Sequence, residues 1–239
     1  MRIVLLGLPG GGKSSSGNTI LGSEQFKSDC DFNSVSTETI SKSARVEGRR
    51  VKVVDTPGIS DEVLTPRKLF KEIMKSVVEA SPGPHAFVIV VRIGRITKAD
   101  IKVFEMLQKL FGTGTLKYAM VLFTHGDELK GQSIDQKIQA NQHVSDLVSM
   151  CGKRYNVFDN TKRGNRVQVG DLLDKIDEMV TCNDGQHYTS EMFKKAQTDW
   201  VIWIEIKWNE LCDWFMKFIR EIMTFDHLYN FEYLQVIDS

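Results

Sequence analysis

The sequence predicts an α/β fold, a mainly parallel sheet with helices on both faces. Three observations predict it. Short apolar runs alternate along the chain with helical stripes, and the first run passes straight into a glycine-rich turn. The polar clusters follow the carboxyl ends of the runs, where open sheets of this kind bind their ligands.

The elements follow in order. Ile3–Leu6 reads as a buried strand, Val51–Val54 as a second that ends at Asp55, and Ala86–Val91 as a third. Ala119–Phe123 is the fourth and Tyr155–Phe158 a short fifth. Between them, Pro66–Ala80 reads as a helix stopped before Pro82-Gly83-Pro84. Ile101, Phe104, Leu107, Leu110 and Phe111 share one helical face that Gly112 ends. Val169, Leu172, Leu173, Ile176, Met179 and Val180 make a further helical stripe. Beyond it Asn183-Asp184-Gly185-Gln186 reads as a linker, and all four tryptophans follow. Two domains are expected, 1–183 as the α/β unit and 184–239 as a helical extension.

At 239 residues the chain is long enough for one substantial core plus an appendage. Lys+Arg and Asp+Glu are 31 each, so total charge gives no attraction to nucleic acid or an anionic membrane. Cys30, Cys151, Cys182 and Cys212 lack metal-ligand spacing and read as free thiols in a reducing compartment. Met1 leads directly into the first strand and no run approaches the ~18 apolar residues of a spanning helix. A cytoplasmic protein is the expectation.

Gly7-Leu8-Pro9-Gly10-Gly11-Gly12-Lys13-Ser14 satisfies G-x-x-x-x-G-K-[ST] between a strand and a helix-like segment, which makes the fold that of a P-loop NTPase. Small residues are needed at Gly7, Gly10, Gly11 and Gly12 because the backbone must approach phosphate oxygens closely. The amides from Gly11 to Ser15 are the expected donors, helped by the helix dipole. Lys13 would reach the β- and γ-phosphates, and Ser14 would ligate Mg²⁺. Asp55-Thr56-Pro57-Gly58 follows the second strand. Asp55 suits a carboxylate that holds Mg²⁺ through water, and the Gly58 amide suits a sensor of the γ-phosphate. In Ser34-Val35-Ser36-Thr37 a hydroxyl of Ser36 or Thr37 would complete the Mg²⁺ ligands; a solvated loop is the alternative.

Thr124-His125-Gly126-Asp127 closes the fourth strand. A carboxylate there, Asp127, can accept from both N1 and N2 of guanine, whereas adenine would leave it unpaired. The usual motif begins Asn-Lys; here Thr124 and His125 stand in those places.

With that substitution, the chain resembles the GIMAP proteins, GTPases of immunity-associated type, grouped with septins and chloroplast-import receptor GTPases. The resemblance rests on GLPGGGKSSSGNTILG at 7–22, DTPG at 55–58, THGDEL at 124–129 and RYNVFDN at 154–160. It rests above all on RIGRITKAD at 92–100 followed by Leu110-Phe111-Gly112, and it covers roughly residues 1–195. It implies that GTP or GDP binds with Mg²⁺, that Asp127 reads guanine with His125 beside the base, and that Asn160 contacts the base from the last loop. It also implies a role in immunity. The sequence departs from the family at Leu8-Pro9, which replace a common Lys/Arg-Thr pair. It departs again at Ser36, where a switch Thr is usual, and at Asp159, where Asn is common.

Ile59, Ser60 and Asp61 supply no Gln to orient an attacking water, so unaided hydrolysis should be slow. Two GTP-bound copies pairing across their nucleotide faces could bring Arg95 into the partner's site as an arginine finger; a solvated helix-entry residue is its other reading. A GTP-dependent assembly scaffold with negligible hydrolysis is the alternative function. An ATP-dependent enzyme would explain the P-loop but not Asp127.

From Asp199 the chain reads DWVIWIEIKWNELCDWFMKFIREIM, too interrupted by charge to span a bilayer. Leu211, Phe215, Phe218, Ile219 and Ile222 share a helical face. A helix packed on the α/β unit or on a second copy is the first reading. An interfacial helix on the cytosolic side of an internal membrane is the second.

Overall fold

The computed structural model describes residues 1–27, 39–58, 75–94, 96–98, 100–101, 104–105, 116–189 and 192. Several expectations lie outside these residues: the 34–37 segment with Ser36 and Thr37, Arg95, most of the helices at 66–80 and 101–111, and the segment from Asp199 onward.

Six strands form one sheet: β1 Arg2–Leu6, β2 Ile40–Val46, β3 Arg49–Asp55, β4 Ala86–Arg92, β5 Ala119–Thr124 and β6 Tyr155–Val157. Their order is β2-β3-β1-β4-β5-β6. β1 pairs in parallel with β3 and β4, β4 with β5, and β5 with β6; only β2 runs antiparallel, to β3. The described helices are α1 Lys13–Leu21, α2 Ile134–Gln139, α3 Gln142–Met150 and α4 Val167–Cys182, with a 3₁₀ turn at Gly126–Leu129.

The central strands form because their residues can be buried on both faces. In β1 and β4, Ile3, Leu5, Ala86, Val88 and Val90 join a core with Ile20 and Leu21 of α1 and Leu172, Leu173 and Ile176 of α4. The intervening Val4, Leu6, Phe87, Ile89 and Val91 point to the opposite face and are equally buried. On α3, which contacts β5, Val144, Leu147 and Val148 are buried. The parallel register, Leu5↔Asp55, Leu6↔Ile89 and Arg92↔Thr124, brings the carboxyl ends of β1, β3, β4 and β5 to one rim.

Three elements go beyond the sequence reading. β2 was not expected, because only Val46 of its seven residues is buried and an edge strand carries no apolar run. It is held by a tight hairpin whose two turn residues, Glu47 and Gly48, both have positive φ (47° and 76°), as a two-residue turn of the primed type requires. Helices α2 and α3 are short and mostly exposed, so their stripes are weak. Side-chain caps start them: Ser133 Oγ accepts from the Asp135 amide and Asn141 Oδ1 from the Val144 amide, each at 3.2 Å.

Met1–Phe193 is one compact unit and Lys194–Ser239 another. After α4 the 183–186 stretch turns, and Tyr188 beyond it is buried against Phe87 and Tyr118, its amide donating to the Pro84 carbonyl at 2.9 Å. Among the described residues no helix is long and apolar enough to cross a membrane.

Candidate functional site

The site lies at the rim where β1, β3, β4 and β5 end. Gly7 leaves β1 with φ 151°, and a Cβ there would sit 2.5 Å from the Val90 carbonyl oxygen, so the loop can run this close to β4 only with glycine. Gly10 and Gly12 also have positive φ (70° and 90°), and Gly12 N-caps α1. The Gly11 carbonyl accepts from the Thr124 hydroxyl at 2.8 Å, which ties the loop to the end of β5. The loop and the first turn of α1 thus form an arch whose amides converge at a helix N-terminus, the arrangement that attracts anions.

Lys13 is buried beneath this arch, its Nζ donating to the Leu8 carbonyl at 3.0 Å. Ser14 donates its hydroxyl to Asp55 Oδ2 at 2.6 Å. The second oxygen of Asp55, Oδ1, is buried with no hydrogen-bond partner. Burial lowers the pKa of the Lys13 ammonium from its ordinary value, with the Asp55 charge opposing. Burial also raises the Asp55 carboxyl, against the Ser14 hydrogen bond and the Lys13 charge. A desolvated cation and a desolvated carboxylate therefore share one pocket while each is bonded to something else. An orphaned buried carboxylate oxygen beside a serine hydroxyl fits a hard divalent cation bound through oxygen. The buried ammonium under a ring of amides fits phosphate.

Thr56 buries its hydroxyl against the Leu5 carbonyl at 2.7 Å and so fixes the turn after β3. Gly58 lies directly against the loop: a Cβ on it would meet Pro9 Cγ at 2.7 Å and Pro9 N at 2.8 Å. The 55–58 turn and the glycine-rich arch are in contact.

At the next rim position, His125 adopts a left-handed backbone (φ 59°, ψ 45°), its Nδ1 3.2 Å from the Thr124 hydroxyl. Asp127 is exposed in the 3₁₀ turn that follows. The turn is fastened from two sides. The Gly126 amide donates to the Phe158 carbonyl at 2.9 Å, and Glu128 pairs with Arg92 at 2.8 Å, a hydrogen bond that holds the Glu128 carboxyl below the usual range. Asn160 faces α1: its Oδ1 accepts from the Thr19 hydroxyl at 2.8 Å and its Nδ2 donates to Ser16 Oγ at 3.2 Å.

The structure thus brings Gly7, Gly10, Gly11, Gly12, Lys13, Ser14, Ser15, Asp55, Gly58, Thr124, His125, Asp127 and Asn160 to the rim or the loops beside it. Thr124 acts on the arch through the Gly11 carbonyl.

Two other residues shape the site without having been singled out in the sequence. Gln168, largely buried at the start of α4, accepts from the Asp159 amide at 2.8 Å and donates to the Asp159 and Lys162 carbonyls at 3.2 Å, so it folds the loop that carries Asn160. Asn18 accepts from the Gln25 and Phe26 amides, both at 2.8 Å, and donates to the Phe26 carbonyl. Asn18 lies in the helix-like segment after the glycine-rich loop and Gln168 just before the Val169–Val180 stripe, and neither position signals a loop-folding role.

A model of the AIG1 family matches residues 1–206. Mouse GTPase IMAP family member 8 is 33% identical over 189 residues, 78% of this chain and 26% of that protein. Immune-associated nucleotide-binding protein 8 of Arabidopsis thaliana is 34% identical over 201 residues, 80% of this chain and 57% of that protein. The chain therefore spans about a quarter to somewhat over half the length of these two relatives. Among solved structures, Toc33 from Arabidopsis thaliana in complex with GDP and Mg²⁺ superposes with a TM-score of 0.58 at 16% identity, covering 76% of this chain and 84% of that one. A structure described by the importance of dimerization for the GTPase activity of the chloroplast translocon components atToc33 and psToc159 gives 0.60, also at 16% identity, covering 76% and 83%. At that identity the likeness is one of fold, and the fold is that of a G domain. The family match, which runs from Met1 through β1 and past the end of α4, establishes that this chain belongs to the AIG1 family.

Proposed function

We propose that this chain is a guanine-nucleotide-binding switch protein that takes GTP or GDP with Mg²⁺, pairs through its nucleotide face when GTP-bound and hydrolyses GTP slowly. The observation that carries the reading is the pocket in which Lys13 and Asp55 are both buried and neither is bonded to the other. Such a pair costs stability unless a ligand supplies the missing opposite charges. A triphosphate with a divalent cation supplies both.

The amides of Gly11 to Ser15 and the Lys13 ammonium hold the phosphates, and Ser14 with Asp55 offers the oxygens for the cation. Ser14 and Asp55 would hold the Mg²⁺, which would supply positive charge against the charge that develops on the phosphates. The Gly58 amide, held beside Pro9, reports on the γ-phosphate to the chain that follows. Asp127 accepts from guanine N1 and N2 and leaves adenine without a match, while His125 flanks the base. The names of the relatives, GTPase IMAP family member 8 and immune-associated nucleotide-binding protein 8, agree with this chemistry and suggest a place in immunity. The Toc33 structures with GDP and Mg²⁺ and the work on Toc dimerization support the same ligands and a paired state. Arg95 remains our proposed arginine finger in trans, on the resemblance of its sequence box.

Displacement of a fluorescent GTP analogue by GTP, GDP and ATP tests the reading. GTP and GDP should compete at least a hundredfold better than ATP. Lys13→Ala should weaken GTP at least a hundredfold, and Asp127→Ala should erase most of the base preference. Equal competition by ATP, or an unaltered affinity in Lys13→Ala, overturns it. Turnover per molecule should rise with protein concentration in the wild type and stay flat in Arg95→Ala.

A further inference from the structure

We propose that the outer edge of β2, with Arg45 and Arg50 beside it, is a docking site for an extended acidic segment of a partner protein that adds to the sheet as a further strand. β2 ends the strand order, and among the described residues its only strand partner is β3. Its outward backbone groups are the kind that a peptide in strand conformation pairs with.

The charges of the hairpin point to what that peptide carries. Arg49 is paired with Asp174 at 2.6 Å and Asp177 at 2.9 Å, and Glu47 with Arg166 at 3.3 Å. Lys52 donates to the Glu79 carbonyl. Arg45 and Arg50 differ from these. They sit directly opposite each other across the ladder, both are exposed, and among the described residues neither guanidinium has a partner. Like charges in facing positions of a sheet oppose its pairing. In a chain with no net charge, two unmatched arginines side by side are not a by-product of basic composition.

A charge on an edge strand can serve only to keep other strands away. That accounts for Arg45 but not for Arg50, which stands on the inner strand β3. Both fit an incoming strand with a carboxylate next to Arg45: it neutralises the facing pair while its backbone takes the β2 edge that no described strand occupies. Ser43, Ala44, Arg45 and Arg50 line one open cavity, so the space runs along the strand as well as over the arginines. The site is at the hairpin end of β2, five residues from Ile40, which faces Asp55 at the nucleotide end. It is about 17 Å away at the rise of a strand. It does not depend on the nucleotide reading.

The test is fluorescence anisotropy of the full chain with a labelled eight-residue peptide of alternating Val and Glu. Two control peptides have Lys for Glu or Pro for the two central Val. The Val-Glu peptide should bind, the Lys peptide should not, and the Pro peptide should bind at least tenfold more weakly. Arg45→Ser and Arg50→Ser should each weaken binding about fivefold or more, while thermal melts show both variants folded. Equal binding of the Pro peptide means charge attraction without strand addition and overturns the proposal. So does a wild type that ignores the Val-Glu peptide while Arg45→Ser self-associates, which would mean edge protection only. Binding that both variants leave unchanged overturns it as well.

Discussion

Thr124 ends β5 fully buried, with its hydroxyl spent on the Gly11 carbonyl 2.8 Å away. Gly11 is in the middle of the glycine-rich loop, so one side chain couples the turn after β5 to that loop. Valine has nearly the same shape and no donor. Thr124→Val should leave that carbonyl unmet at a cost of about 1–2 kcal/mol in stability and loosen the arch. The expected result is a five- to tenfold weaker GTP affinity in Thr124→Val with near-normal affinity in Thr124→Ser, measured by nucleotide titration alongside urea denaturation. A uniform loss in both variants would mean that volume, not the hydrogen bond, sets the loop.

Helix α1 is nine residues long and starts at the glycine-rich loop, so its far end must be held. Gly22 closes it in a left-handed conformation, its amide donating to the Asn18 carbonyl. Arg166, at the start of α4, completes the cap. Its Nη1 donates to the Thr19 carbonyl at 2.6 Å, its Nη2 to the Ile20 carbonyl at 3.0 Å, and its Nε pairs with Glu47. A guanidinium at a helix C-terminus satisfies orphan carbonyls and opposes the negative end of the dipole. Arg166→Ala should therefore cost about 1–2 kcal/mol, read as a lower urea midpoint. Arg166→Lys should recover less than half of it, because an ammonium cannot span two carbonyls and a carboxylate in one plane. Full recovery by lysine would reduce the interaction to charge alone.

On the scale of the whole molecule, the end of the sheet opposite the glycine-rich loop has its own electrostatics. His85 accepts from the Arg2 amide through Nδ1 at 2.9 Å, and its ring is 5.7 Å from that of His187. Burial first, then the charges of Arg2, the N-terminus and His187, push the His85 pKa down to about 4. The folded state thus binds fewer protons than the unfolded state between the ordinary histidine value and about 4, so stability rises with pH across that window and is lost as pH falls through it. Because the ring is only about half buried, solvent screening reduces the effect to roughly 1–2 kcal/mol. His85→Asn can keep the hydrogen bond from Arg2 through Oδ1 without titrating. Urea midpoints at pH 7 and pH 4.5 should fall further in the wild type than in this variant; an equal fall would remove His85 from the acid response.

The parallel core strands, the glycine-rich loop, the Asp55 turn and the turn after β5 were legible in the amino-acid sequence. Each is written in contiguous residues, because a strand buried on both faces must be apolar throughout and a loop pressed against β4 must be glycine where it touches. The family was legible for the same reason. Only the tertiary structure decided the rest. β2 is half polar and exists because β3 pairs with it, and Arg166 caps a helix 147 residues away. Gln168 folds a loop one element upstream, and Tyr188, just past the turn at 183–186, is buried against β4. Such roles depend on what a group meets across space, 147 residues away for Arg166 and only nine for Gln168, and no residue type or spacing announces that meeting.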